Sequence, residues 1–207
     1  MSEMRAICGL APVIPVLVVH DVATARPLAE ALVAGGLPVL EVTLRTPAAL
    51  AALRAMAAVP GAVVGAGTVL TPADLAAARA AGAAFGVAPG MTPALGAAVA
   101  AMGLPFLPGA ATASEVMALA EAGFDAAKLF PAEAVGGIAL LRGLAGPLPA
   151  MGFCPTGGIT AETAGRYLGL GNVLCVGGTW IAPEALIAAG DYAGIAARAA
   201  AAAALRG

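Results

Sequence analysis

Short β-branched and apolar runs alternate with Ala- and Leu-rich stretches along this whole chain, and that alternation limits the available folds more than any other feature. Strands are predicted at residues 13–19, 39–44, 63–68, 85–88, 105–107, 126–130, 153–156 and 173–176, at intervals of roughly twenty residues. Between them the helices mark their own ends. Thr46-Pro47, Thr71-Pro72 and Thr92-Pro93 each place a capping threonine before a proline suited to the first helical turn, and Thr112 and Thr160 resemble capped starts. At the far ends Gly36, Gly82, Gly103 and Gly123 supply residues able to take the left-handed conformation that stops a helix. Parallel strands need crossover connections, which these helices provide.

Eight such units can close into a barrel or stay open. An open dinucleotide-binding sheet calls for a Gly-x-Gly-x-x-Gly after its first strand, whereas His20-Asp-Val-Ala-Thr-Ala stands there. The expectation is therefore a single (β/α)8 TIM barrel with an N-terminal helical segment, an open sheet being the alternative. No Ser- or Gly-rich linker divides the chain, so residues 1–207 are expected to form one domain, with the Ala-rich stretch 196–205 as a terminal helix.

Composition excludes several partners. Twelve acidic against ten basic residues, with no basic run, argue against nucleic acid. The apolar content is 61%, and no charge occurs between Arg79 and Glu115, a length that could cross a bilayer. Prolines and glycines cut that run into strand-sized pieces, which reads as buried structure rather than a span. The N-terminal stretch has no secretory pattern, so a cytoplasmic location is expected. Cys8, Cys154 and Cys175 are far apart and odd in number, which suits free core thiols, and with His20 the only histidine a metal site is poorly supported.

Lys128 is the one lysine; the other nine basic residues are arginine. It lies in an apolar strand, and lysine, unlike arginine, can lose its proton and attack a carbonyl. A structural alternative is an ion pair with Glu41 or Glu133. Low dielectric and few acidic neighbours are expected to free some amine near neutral pH. Glu41 occupies the second predicted strand among apolar residues, where a carboxylate that turns inward could move protons for Lys128. Arg45 follows at that strand's end and could grip a carboxylate, or pair with Glu41.

Barrels place their sites at the C-terminal ends of the strands and often bind phosphate after the last two. Here Thr156-Gly157-Gly158 and Gly177-Gly178-Thr179 end the seventh and eighth predicted strands, where bare amides and the two threonine hydroxyls suit an anion. Thr68 and Pro89 end the third and fourth strands and could line the site or merely make turns. His20 and Trp180 read as structural.

The segments Ile14-Pro-Val-Leu-Val-Val19, Leu40-Glu-Val-Thr-Leu-Arg-Thr46, Val64-Gly-Ala-Gly-Thr-Val-Leu70, Lys128-Leu-Phe-Pro-Ala-Glu133, Phe153-Cys-Pro-Thr-Gly-Gly-Ile159 and Gly177-Gly-Thr-Trp180 closely resemble, in order, the 2-keto-3-deoxy-6-phosphogluconate (KDPG) and 4-hydroxy-2-oxoglutarate (KHG) aldolases. The resemblance implies a cofactor-free class I lyase that cleaves a phosphorylated keto-deoxy sugar acid to pyruvate and glyceraldehyde 3-phosphate, as in the Entner-Doudoroff route, typically as a homotrimer. By position it makes Lys128 the Schiff-base lysine and Glu41 the acid/base. Arg45 and Thr68 become ligands of the pyruvate half, Pro89 and Phe130 pocket wall, and Gly157, Gly158 and Thr179 phosphate ligands. Leu129 departs from a common aromatic and Thr179 from a common serine. Two other functions fit the glycine loops: a phosphate-binding barrel enzyme of another class, which needs no imine-forming lysine, and a non-catalytic sugar-phosphate-binding protein.

Overall fold

Successive side chains of a strand point to opposite faces, and here that two-residue period sorts the apolar residues into two layers. The computed structural model describes residues 2–205, and positions 1, 206 and 207 lie outside them. The strands are β1 Val13–Leu17, β2 Val39–Thr43, β3 Val63–Gly67, β4 Phe85–Val87, β5 Phe106–Leu107, β6 Gly109–Ala110, β7 Ala126–Leu129, β8 Gly152–Phe153 and β9 Val176–Gly178. Helix α1, Glu3–Gly9, precedes them. Helices α2 Ala25–Ala34, α3 Ala49–Ala57, α4 Pro72–Ala80, α5 Pro93–Met102, α6 Ala113–Glu121, α7 Gly137–Ala145 and α8 Ala161–Leu168 alternate with the strands, and α9 Glu184–Ala188 and α10 Tyr192–Ala203 end the chain.

Every strand pair is parallel: β5-β4-β3-β2-β1-β9 form one sheet and β6-β7-β8 another. The fold is thus α/β with parallel strands, as expected in outline, but its strands fall in two sheets rather than one ring. The fifth predicted strand, 105–107, appears as β5, and an unpredicted strand, β6, continues it beyond Pro108, whose missing amide interrupts the ladder while its carbonyl still accepts from the Lys128 amide at 2.8 Å. The last strand also moves. Val173 makes only an isolated bridge to Phe153, and the ladder runs over Val176–Gly178 against Val13, Ile14 and Pro15.

Most of the predicted helix starts hold. Thr71 with Asp74 and Thr112 with Glu115 form reciprocal capping boxes, Thr92 accepts from the Leu95 amide, and Thr160 pairs with Thr163. Each such cap is worth about 1 kcal/mol. Thr46 is the exception: its hydroxyl donates to the Val19 carbonyl, and α3 begins only at Ala49 without a side-chain cap. Gly36, Gly82, Gly103 and Gly123 all take positive φ at helix ends.

The larger apolar layer packs the outward strand residues, such as Leu40, Val42, Ala127 and Leu129, against the helices. A second cluster gathers the inward ones, Ile14, Val39, Phe85, Val87, Leu107 and Ala126, with Met4, Ile7 and Cys8 of α1. Arg5 donates to the carbonyls of Asp125 and Ala150, just before β7 and β8, so α1 lies across the N-terminal ends of those strands. The opposite ends are left for the site. Among the described residues no helix is long and apolar enough to cross a membrane.

Candidate active site

The same alternation aims the candidate reacting groups. In β2, Leu40 and Val42 face the helices and Val39 faces inward, so Glu41 shares the inner face; in β7, Ala127 and Leu129 face out, so Lys128 turns in with Ala126. Lys128 Nζ donates to Glu41 Oε1 at 3.0 Å and lies 3.4 Å from Oε2, with side-chain exposures of only 7% and 4%. The expectation of few acidic neighbours fails, because a carboxylate is in direct contact with the amine. The alternative partner, Glu133, instead accepts a hydrogen bond from the Tyr167 hydroxyl. The Phe130 ring centroid stands 5.4 Å from Nζ, close enough for its face to attract the cation.

Two glycines admit close approach around this pair. A Cβ on Gly67 would lie 2.3 Å from Glu41 Oε1. Gly109, the partner of Lys128 in the β6–β7 register, is pressed so closely by Pro89 that a Cβ would lie 2.1 Å from the Pro89 carbonyl oxygen. These glycines leave Glu41 and Pro89 the room that they occupy, a role that their sequence neighbours do not signal.

Beyond β3, Thr68 has φ 59, a left-handed conformation that a β-branched residue adopts at a cost of about 1–3 kcal/mol. Its hydroxyl accepts from Arg45 Nε at 3.3 Å. Arg45 is exposed and does not pair with Glu41; the strained Thr68 orients it at the C-terminal ends of β2 and β3. Such strain is characteristic of functional sites.

The glycine turns differ from each other. Thr156 is buried and bridges to Gly177, where a Cβ would lie 2.2 Å from the Thr156 hydroxyl oxygen. Gly157 and Gly158 follow with φ 103 and 81, and no acceptor among the described residues engages their amides. Gly178 does not lie in a loop: it is inside β9, paired with Pro15, under the Trp180 ring, which a Cβ would meet at 1.8 Å. Thr179 is the first residue beyond the strand and is exposed. Sequence reasoning missed Arg198 of α10, which donates to the Trp180 carbonyl at 3.2 Å and brings a guanidinium to this corner. Its position in an Ala-rich helix was the only signal.

The remaining candidates stay apart from the lysine. His20 is exposed and contacts Glu184 at 2.9 Å. The three cysteines are free, buried and brought together: hydrogen bonding with Cys154 and then Cys8, with full burial, pushes the Cys175 thiol well above its usual range, so it remains an inert thiol.

The chain matches the protein-family model for KDPG and KHG aldolase over residues 4–198. It is 48% identical over 192 residues to the KHG/KDPG aldolase of Escherichia coli K12, covering 92% of this chain and 90% of that one. It superimposes with TM-score 0.94 and 50% identity on the crystal structure of the 2-keto-3-deoxy-6-phosphogluconate aldolase of Zymomonas mobilis ZM4 with 3-phosphoglycerate, covering 99% of this chain and 96% of that one. With TM-score 0.95 and 44% identity, and 98% of each chain covered, it also matches the Legionella pneumophila KDPG aldolase with pyruvate captured as a covalent carbinolamine intermediate.

Proposed function

Since the chain belongs to the KDPG and KHG aldolase family, we propose that it is a class I aldolase that cleaves 2-dehydro-3-deoxy-6-phosphogluconate to pyruvate and D-glyceraldehyde 3-phosphate, with 4-hydroxy-2-oxoglutarate, split to pyruvate and glyoxylate, as a second substrate. The observation that carries this reading is the buried contact of 3.0 Å between Lys128 Nζ and Glu41. It joins a nucleophile to a proton carrier where water is scarce.

Glu41 takes a proton from the Lys128 ammonium, and the free amine adds to the C2 ketone. Returning that proton lets the carbinolamine lose water and become a protonated imine. The imine draws electrons from the C3–C4 bond as the C4 hydroxyl passes its proton to Glu41 through a water molecule. The aldehyde product leaves, Glu41 reprotonates C3 of the enamine, and hydrolysis frees pyruvate and Lys128. Arg45, oriented by Thr68, binds the pyruvate carboxylate, while Pro89 and Phe130 wall the pocket. The amides of Gly157 and Gly158, with the Thr179 hydroxyl, take the phosphate. Thr156 and Gly178 support that corner from below. The carbinolamine of the Legionella relative and the 3-phosphoglycerate of the Zymomonas one support the two ends of this reading.

The two sheets read as one (β/α)8 barrel of a single domain over residues 1–207, interrupted at Pro108. In support, β9 pairs with β1, and the bridges Phe153 to Val173 and Thr156 to Gly177 link β8 to the last strand. A homotrimer is the expected assembly, and sedimentation tests it.

Incubation with pyruvate and borohydride, followed by mapping of the adduct, tests the chemistry. A stable adduct on Lys128 is expected. Labelling elsewhere, or none, overturns the proposal in favour of a phosphate-binding enzyme of another class or a non-catalytic binder. Turnover is expected to survive EDTA.

A further inference from the structure

Glu133 lies outside the catalytic pair, yet it touches the phosphate turn in two ways. Its amide donates to the Gly157 carbonyl at 3.1 Å, beside the Ala132 amide on the Thr156 carbonyl at 2.8 Å. The turn after β7 thus grips the turn after β8 through two backbone bonds. The Glu133 side chain then lies flat on Gly158, where a Cβ would be 2.7 Å from its Cγ and 2.8 Å from its Cβ.

What holds that side chain is Tyr167. This tyrosine is a fully buried residue of α8, the helix that follows the phosphate turn, and its hydroxyl donates to Glu133 Oε1. Gly137 leaves the room, since a Cβ there would lie 2.5 Å from the phenol oxygen. Burial and then the Glu133 carboxylate push the Tyr167 phenol well above its usual range, so it remains a donor at any working pH. The turn, Glu133 and the Tyr167 side chain of α8 close a ring of contacts around Gly158. A carboxylate free to turn toward a phosphate dianion repels it; the phenol ties this one to α8.

We infer that Glu133 and Tyr167 are a positioning pair that holds the Gly157–Gly158 turn in its phosphate-binding shape and so sets the preference for phosphorylated over unphosphorylated substrate. The inference rests on the phosphate reading of that turn.

The test is steady-state kinetics on both substrates with wild type, Tyr167→Phe, Glu133→Ala, Glu133→Gln and Thr179→Ala. Tyr167→Phe and Glu133→Ala should each raise KM for the phosphorylated substrate about fivefold or more, the loss expected for one ordinary hydrogen bond. Both should leave kcat, and KM for 4-hydroxy-2-oxoglutarate, within about twofold of wild type. Glu133→Gln, whose amide oxygen still accepts from the phenol, should restore the phosphorylated KM. Two results overturn the inference: an unchanged phosphorylated KM, or an equal rise for both substrates, which marks a staple of the whole fold. Glu133 is exposed, so its variants decide the matter if Tyr167→Phe fails to fold. A selective KM rise in Thr179→Ala alone would leave the phosphate reading standing and sink only the positioning pair. No substrate preference in wild type, with Thr179→Ala unchanged, would remove both.

Discussion

The Lys128–Glu41 pair and the Gly157–Gly158 turn both serve the C-terminal side of the strands, but they are held by different means. The pair sits on β7 and β2, its side chains almost wholly buried, with Gly67 and Gly109 allowing close contact from neighbouring strands. The turn lies outside the ladders, bends through two left-handed glycines, and depends on Glu133 and Tyr167 for its support. Strands give the proposed reacting atoms little freedom, while a turn can adapt to what a bound molecule carries at its far end. Damage to the first region should therefore appear in kcat and damage to the second in KM for phosphorylated substrate.

Lys128→Arg is the most severe way to break that contrast. It should keep the charge and the fold, by circular dichroism, but lose turnover by about 10⁴-fold or more and form no pyruvate adduct, because a guanidinium makes no imine. Retained activity would refute the role of the lysine. Glu41→Gln should lower kcat by about 10²–10⁴-fold while slow trapping on Lys128 persists. It also leaves the buried ammonium without its counter-charge, which should reduce unfolding free energy in urea by about 3 kcal/mol.

Gly67→Ala tests the support rather than the chemistry. The added methyl must displace a carboxylate oxygen that would stand 2.3 Å away. Misplacing the proposed base by about 1 Å should cost roughly a hundredfold in kcat, with KM little changed. An unaffected kcat would mean that Glu41 can adjust and that the strand region is less rigid than its geometry implies.

The smallest effect concerns the opposite ends of the strands. Partial burial opposes it, but hydrogen bonds from the Ser2 hydroxyl and amide, with Arg5 nearby, hold the Asp125 carboxyl below its ordinary value of 3.8. A depressed folded pKa means stability that is present above the unfolded value and is lost as pH falls through the folded one. Acidification below about pH 4 should therefore loosen α1 before the helices of the larger apolar layer, read as early hydrogen exchange of the α1 amides. Ser2→Ala should shift that loosening to higher pH.

Much of the architecture was readable one segment at a time. The threonine caps at 71, 92, 112 and 160 and the stop glycines act within one helical turn, so their chemistry is local and their spacing is visible in the chain. Thr46 shows the limit of such reading. It has the same Thr-Pro pattern, but its hydroxyl finds the Val19 carbonyl, two residues beyond the end of β1. Glu41 and Lys128 could be named because charged residues in apolar strands are costly to bury without purpose. Their mutual contact, 87 positions apart, could only be supposed.

What the sequence alone determined is therefore the order of elements and most of their caps, consequences of short-range periods of two and 3.6 residues. The tertiary structure decided which inward residues meet. It set the ion pair of Lys128 with Glu41 rather than Glu133, the hydroxyl of Thr68 under Arg45, the break at Pro108, the glycines that admit close approach, and the Tyr167 phenol on Glu133. The reason is register: a shift of one residue between paired strands turns every side chain to the other face, and nothing within a single segment specifies that alignment.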